Sequence, residues 1–240
     1  MKVHSGYTSG SRGVGIMLKK SLPFLVQSIR TDPYGRYAAL SGTWENRVLN
    51  LISVYIPPRL QEVALPEIAT LILALPSGIL IAGGDYNTIM DRKMDRWPVR
   101  DTATTVLPLK GFVDAMGLMD LWRAHNPNSL QYTFHSGAHG SMSRIDHILI
   151  LAQHVHDFQE VRMMARGISD HSPIWAVLNV DSDKAFNEII INPWYLRNQN
   201  VKDRLAEVTD LYFSENTHTV ESNVILWEAF KTVLKGQALS

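Results

Sequence analysis

Polar groups at the ends of apolar runs carry the chemistry this sequence could do. Asp85 and Asn87 close the stretch I-L-I-A-G-G-D-Y-N from Ile79 to Asn87. Asp146 lies inside S-R-I-D-H, Asp170 and His171 lie inside S-D-H-S-P, and Tyr55 ends a run just before Pro57. A carboxylate and an amide two residues apart at a strand end can point the same way. Asp85 can then activate or orient a water, and Asn87 can donate to a phosphoryl oxygen. Asp146 can orient an imidazole and raise its pKa, which makes His171 a cationic partner for a phosphate. Asp170, beside His171, can bind a divalent metal directly or through water. Hard oxygen ligands suit Mg²⁺ or Mn²⁺ rather than structural zinc, and the other histidines show no H-E-x-x-H spacing. Each group also has a plain structural explanation. Asp85 and Asn87 serve equally as turn residues, Asp146 as the ion-pair partner of Arg144, and His171 as a loop histidine.

The elements that must position these groups follow from periodicity and breakers. Residues Met1 to Arg12, rich in Ser and Gly, read as a loose start. Val14 to Leu18 reads as a strand, and Phe24 to Arg30 with Arg36 to Trp44 as a strand pair around Asp32-Pro33-Tyr34-Gly35. Arg47 to Ile56 is a further strand, closed by Pro57-Pro58. The local spacing predicts antiparallel pairing in this part of the chain. Leu65 to Leu75 predicts a helix with Pro66 in its first turn. Ile79 onward is a short buried strand that Gly83 and Gly84 end in a tight turn. Asp91 to Arg100 is a charged loop carrying Trp97, and Leu109 to Gly117 a helix stopped by Gly117. Gln131 to Phe134, Ser143 to Leu151, Gln159 to Met164 and Ile174 to Val180 read as strands, with a Gly-rich turn from His135 to Ser141. Alternation within R-I-D-H-I-L puts Asp146 on the face opposite Ile145, His147 and Leu149. Two amphipathic helices follow, over Val201 to Phe213 and Val220 to Leu234. A domain boundary is expected near Ser182, dividing 1–181 from 182–240.

Composition excludes several classes. The 240 residues suit one large domain, or one domain with an appendage. A hydrophobic fraction of 45% supports a real core. Formal net charge is +0, so contact with a polyanion must be local. With no cysteine there are no disulfides, thiolate metal sites or cysteine nucleophiles, which fits an intracellular protein, nuclear or cytoplasmic. The start lacks an apolar signal core. The most apolar run, Leu71 to Ala82, is broken at Pro76-Ser77-Gly78, so no membrane span is expected.

In order, G-G-D-Y-N, Y-T-F, S-R-I-D-H-I-L and S-D-H-S-P resemble the endonuclease/exonuclease/phosphatase superfamily, whose fold DNase I shares. R-G-V-G-I-M-L, Y-I-P-P and the tail resemble, more narrowly, the endonuclease domain of LINE-type non-LTR retrotransposon polyproteins. In the tail, Trp194-Tyr195-Leu196, Asn216 and L-W-E-A-F-K-T-V-L-K-G look like a helical connector towards a reverse transcriptase. The resemblance implies an α/β four-layer sandwich: two mainly antiparallel sheets with helices outside and the active site at one rim. It implies Mg²⁺-dependent nicking of DNA that leaves a 3′-hydroxyl. Carried over, Asp85 activates the water, Asn87 and Tyr55 contact the phosphate, and Asp146 pairs with His171, which meets the scissile phosphate. Asp170 lies beside the metal, and Thr133 and Ser169 line the substrate site. Arg92, Lys93, Arg96 and Arg100 form a basic loop suited to a DNA strand or simply to solvent. The family's N-terminal Asn strand and its Q-E-x-H motif, whose Glu is the main metal ligand, have no counterpart before Glu45. The expectation is therefore an N-terminally truncated endonuclease domain, weak or inactive as written. Two alternatives are a phosphatase or phosphodiesterase of another branch with Asp170 as replacement ligand, and a non-catalytic remnant that binds nucleic acid or a protein.

Overall fold

The structure is a computed structural model that describes residues 1–7, 12–99, 107–179, 199–217, 226, 227, 229–231, 233 and 234. Its first half comprises β1 (Lys2–Gly6), β2 (Gly13–Met17), β3 (Phe24–Thr31), β4 (Tyr37–Trp44), β5 (Arg47–Tyr55), α1 (Gln61–Leu73) and β6 (Ile79–Asp85). Then come β7 (Arg96–Trp97), α2 (Pro108–Ala115), β8 (Leu118–Asp120), α3 (Leu121–His125), β9 (Phe134–Ser136), β10 (Ser141–Ser143) and β11 (Asp146–Leu151). A 3-10 turn (Ala152–Asp157) leads to β12 (Phe158–Met163), β13 (Ile174–Leu178) and α4 (Gln199–Asn216).

A six-stranded sheet in the order β3-β4-β5-β6-β11-β8 is the frame. β3, β4 and β5 pair antiparallel, as their short turns require, but β5 and β6 run parallel. The crossover between them is α1, which the parallel geometry needs. One face of the sheet buries Ile52, Val54, Leu80, Ala82 and Leu149 against Ala64, Leu65, Ile68 and Leu71 of α1 and Leu109, Phe112 and Val113 of α2. The β1–β2 hairpin packs on the other face, where Val3 meets Ala38 and Leu40 beside Val14, Ile16 and Leu51. β12 pairs with β13 as a second hairpin, and β7-β10-β9 is a small separate sheet. The fold is mixed α/β with a large central sheet and flanking helices. Among the described residues, the β1–β2 and β12–β13 hairpins are not joined into one continuous sheet.

Several expectations are corrected. The start is a strand, because Val3 and Ser5 face inward on alternate positions and the Ser5 hydroxyl donates to the Asp32 carbonyl. α1 begins at Gln61, so Pro66 lies inside the helix; packing of four apolar residues offsets the lost N–H. The strand expected over Ser143–Leu151 is two strands: Ser143 ends β10, and β11 starts at Asp146. The strand expected over Gln131–Phe134 lies later, at Phe134–Ser136, pinned by β10. The charged loop contains β7, since Arg96 and Trp97 pair with Ser143 and Met142. Gly117 does stop α2, with φ +61.

Gly83 and Gly84 do not make a turn; both lie inside β6. Gly84 has φ +150, and a Cβ there would stand 1.9 Å from the Val54 carbonyl oxygen. Gly84→Ala is expected to cost about 3 kcal/mol or more, from backbone strain and overpacking together. At Gly83 a Cβ would meet Ile148 at an ordinary 3.7 Å, so Gly83→Ala should stay within about 1 kcal/mol. Urea midpoints of the two variants check this, and equal costs would refute it.

Residues fall into two compact units, Met1–Asp181 and Ser182–Ser240. In the second, Phe230 packs its ring on Tyr212, Phe213 and Trp227 at 5.3, 4.8 and 5.6 Å, and the Tyr212 hydroxyl donates to the Leu226 carbonyl. The first predicted helix appears as α4, and helical positions recur between 226 and 234. Arg100, Trp194, Tyr195 and Leu196 lie outside the described residues, as does the stretch where the domain boundary was expected. No helix among the described residues is long and apolar enough to cross a membrane.

Candidate active site

Tyr55, Asp85 and Asp146 stand in one row across the end of the sheet. Tyr55 is level with Asp85 in the parallel β5–β6 pair, and Asp85 with Asp146 in the antiparallel β6–β11 pair. Residues at matched positions of neighbouring strands project to the same face. All three are half-buried.

His171 joins the row through its Nδ1, 2.8 Å from Asp146 Oδ2. With Asp146 ionised, Nδ1 carries the donated proton and Nε2 is left to address a substrate. The ring packs on Phe134 at 5.0 Å, and its segment is stitched to β9 through an isolated bridge between Phe134 and His171. The Ser172 N–H donates to the Thr133 carbonyl, and the His135 N–H to the Asp170 carbonyl. The Ser169 hydroxyl accepts from the His171 N–H at 3.1 Å. Ser169 and Asp170 are exposed beside the imidazole. Thr133 is wholly buried, and its Oγ1 accepts from the N–H groups of Ile145 and Asp146, both at 3.1 Å. It holds the start of β11 from beneath.

Asn87 adopts φ +50 just beyond β6. Its N–H donates to Asp85 Oδ1 at 2.8 Å, and its Nδ2 donates to the Ile56 carbonyl at 2.9 Å and to Asp85 Oδ2 at 3.1 Å. The turn explanation thus holds for both residues, and Asp85 still stands level with Asp146 in the row. Burial pushes the Asp85 carboxyl up to about 6, against the Asn87 N–H, and the nearby Asp146 charge adds to the rise. The hydrogen bond that His171 donates to Asp146 raises the His171 pKa against burial, helped by the charges of Asp146, Asp85 and Asp170.

Periodicity missed the ionic cluster beneath this row. Arg144, 1% exposed, does not pair with Asp146. Its Nε and Nη2 donate to both oxygens of Asp95 at 2.9 and 3.0 Å, and its Nη1 donates to Asp120. Asp95 also accepts from Arg123 Nη2 and from the N–H groups of Met90 and Asp91. The buried His147 meets Asp120 through Nδ1 at 2.8 Å and the Thr88 carbonyl through Nε2 at 3.0 Å. Because a carbonyl only accepts, Nε2 carries a proton. Burial would raise the Asp120 carboxyl, yet Arg144 and His147 hold it far below the usual range. The cluster fastens the exit of β6 at Thr88 and the start of β11. Asp95 was the available signal: an acid beside Arg96, in a charged loop that its own carboxylate orders.

Among the described residues, no three His, Asp or Glu side chains converge to hold a metal ion. Asp85 and Asp146 face each other, but both already accept hydrogen bonds from Asn87 and His171. These residues do not make a complete Mg²⁺ or Mn²⁺ site.

The model of the Endonuclease/Exonuclease/phosphatase family matches residues 2–171. The chain is 30% identical over 168 residues, 68% of its length, to the Transposon TX1 uncharacterized 149 kDa protein of Xenopus laevis, of which it spans 13%. In fold it is similar to the endonuclease domain of TRAS1, a telomere-specific non-LTR retrotransposon (TM-score 0.57, 16% identity, 75% of this chain and 80% of that one). It is also similar to an AP endonuclease from Archaeoglobus fulgidus (TM-score 0.54, 18% identity, 75% of this chain and 79% of that one). A chain with this match and this fold belongs to the endonuclease/exonuclease/phosphatase family.

Proposed function

We propose that this chain carries the general acid–base side of a DNA phosphodiester-cleaving site of the retrotransposon endonuclease type. The observation that supports it most is the row Tyr55–Asp85–Asp146 with His171 hydrogen-bonded at its end. In this reading, Asp85 accepts a proton from the attacking water as its oxygen bonds to phosphorus. The bond to the 3′-oxygen breaks and that oxygen takes a proton from solvent water, leaving a 5′-phosphate and a 3′-hydroxyl. His171, cationic through Asp146, faces the charge that develops on the phosphoryl oxygens, and the Tyr55 hydroxyl donates to the same group. Protonation of Asp85 weakens its hold on the Asn87 amide, which turns that N–H to the phosphate. Ser169 and Thr133 keep His171 and Asp146 in place, and Asp170 adds negative charge beside the imidazole.

A hard divalent cation, Mg²⁺ or Mn²⁺, would supply charge neutralisation, with Asp85, Asp146 and Asp170 the nearest carboxylates. Because these described carboxylates do not complete a site, slow hydrolysis is expected. Slow nicking of supercoiled plasmid with Mg²⁺ or Mn²⁺ is expected, and His171→Ala should lower it by about 10²–10⁴-fold. His171→Ala protein that nicks like the parent would overturn the assignment, while a fast rate would place a metal ligand outside the described residues.

The rate should rise with pH through about 6, as Asp85 ionises. It should fall at higher pH, as His171 loses its proton above the ordinary histidine range. A flat profile between pH 5 and 9 would remove both roles.

A further inference from the structure

Two exposed tyrosines stand together at the catalytic end of the sheet, away from His171. Tyr34, 53% exposed, lies in the β3–β4 turn, and Tyr7, 41% exposed, follows β1. Their ring centroids are 6.3 Å apart. The Arg12 guanidinium lies over the Tyr7 ring at 5.5 Å, and that of Arg36 over Tyr34 at 5.0 Å. The juxtaposition is built by the backbone. Gly35, at φ +69, fits so closely that a Cβ would meet the Tyr7 nitrogen at 3.0 Å and the Arg12 carbonyl oxygen at 3.3 Å. The Arg36 guanidinium is fastened to both oxygens of Asp32 and to Glu67, so it holds the turn and is not available for a phosphate.

The turn is tied to the active-site row. The Tyr55 N–H donates to the Arg36 carbonyl at 2.8 Å, and Tyr55 is level with Asp85. Two strand spacings, roughly 10 Å, separate Arg36 from Asp85. That distance is about three base steps at 3.4 Å per step.

Two exposed tyrosines, each with a guanidinium over its ring and a few nucleotides from the reacting phosphate, suit a base that has left the duplex stack. In a duplex the base faces are covered by their neighbours, whereas an unpaired base offers its π-face to any ring. The formal net charge of +0 makes stacking matter more here, because bulk electrostatics supplies little affinity. We propose that Tyr7 and Tyr34 form a stacking platform for an unpaired nucleobase of a single-stranded DNA segment adjoining the cleavage point. The assignment rests on the reading of the row as a DNA phosphodiesterase site.

The test is binding of a labelled oligothymidine and of a blunt duplex to the full chain in EDTA, where no cleavage interferes. The wild type is expected to favour the single strand. Tyr7→Ala and Tyr34→Ala should each weaken single-strand binding by about 10-fold, as for loss of one base–aromatic stack. Duplex binding and the salt slope should be unchanged. Tyr34→Phe should bind like wild type, and Tyr34→Leu, which keeps bulk without a π-face, should bind like the alanine variant. Alanine variants that bind like wild type would overturn the proposal. So would leucine matching phenylalanine, equal losses on duplex, or no single-strand binding by the wild type. If the platform pattern appears but plasmid is never nicked, only the hydrolytic reading falls. If plasmid is nicked in a His171-dependent way and the tyrosine variants bind normally, only the platform falls.

Discussion

Arg144→Met is expected to destabilise the first unit by about 3–5 kcal/mol, the cost of breaking a buried ion pair from one side. Arg144 is 1% exposed, Asp95 0% and Asp120 7%. Methionine matches much of the arginine's volume, so the cost comes from charge. Asp95 would lose two hydrogen bonds and Asp120 would lose its main cation. Arg123 still reaches Asp95, and His147 still reaches Asp120, so the loss stays short of two bare carboxylates. At about 2–4 °C per kcal/mol for a unit of this size, the melting temperature should fall by roughly 6–20 °C. Asp120→Asn in the same background should recover part of the loss, because it removes the orphaned charge. A melting temperature unchanged by Arg144→Met would mean that the cluster does not hold the two strand ends. The comparison with Asp146→Asn is informative, since the Asp146–His171 pair is partly open to water and should cost far less.

Asp85→Asn is expected to stabilise the fold at pH 7–8 while lowering nicking by about 10²–10⁴-fold. The sign follows from the folded pKa of about 6, above the ordinary value of 3.8. Ionised Asp85 is held in the fold at a cost that is fully present above about 6. The cost fades as pH falls towards 4, where folded and unfolded chains are both protonated. A gap of that size corresponds to about 3 kcal/mol at full strength. Solvent at the rim, and the poorer acceptor that asparagine offers to Asn87, reduce the expected gain to about 1–2 kcal/mol. Thermal melts of both proteins between pH 4 and 8 read this directly, and the advantage of the variant should shrink towards acid. His171 has the opposite sense. Its raised pKa contributes stability that is present below the ordinary histidine value and lost as pH rises through the folded one. An Asp85→Asn protein less stable than the parent at pH 8 would show that Asp85 serves the fold and not the site.

Much of the candidate site was legible because its residues lie at strand ends next to breakers. Asp85 and Asn87, Asp146, Asp170 and His171, and Tyr55 all stand out as polar groups against apolar runs. The supporting cluster was not legible. Arg144 sits where alternation assigns it to the face of Asp146, but the chain leaves β10 at Ser143 and enters β11 only at Asp146. The two residues between turn the guanidinium towards Asp95 and Asp120. β1 was invisible for a related reason. Its five residues contain a single large aliphatic side chain, Val3, and they become a strand by pairing with β2 and packing on Ala38 and Leu40.

By itself, the sequence determined the α/β class, the order of the strand-end motifs, the absence of cysteine chemistry and the resemblance to the family. Those properties are local or compositional, and a period of two or an interrupted run is visible without knowing what lies opposite. Only the tertiary structure decided that Tyr55, Asp85 and Asp146 share one row, that Asp146 takes His171 rather than Arg144, and that Tyr7 meets Tyr34. Each of these depends on register between strands distant in sequence. Register is set by which faces can be buried together, a constraint that no short window of residues contains.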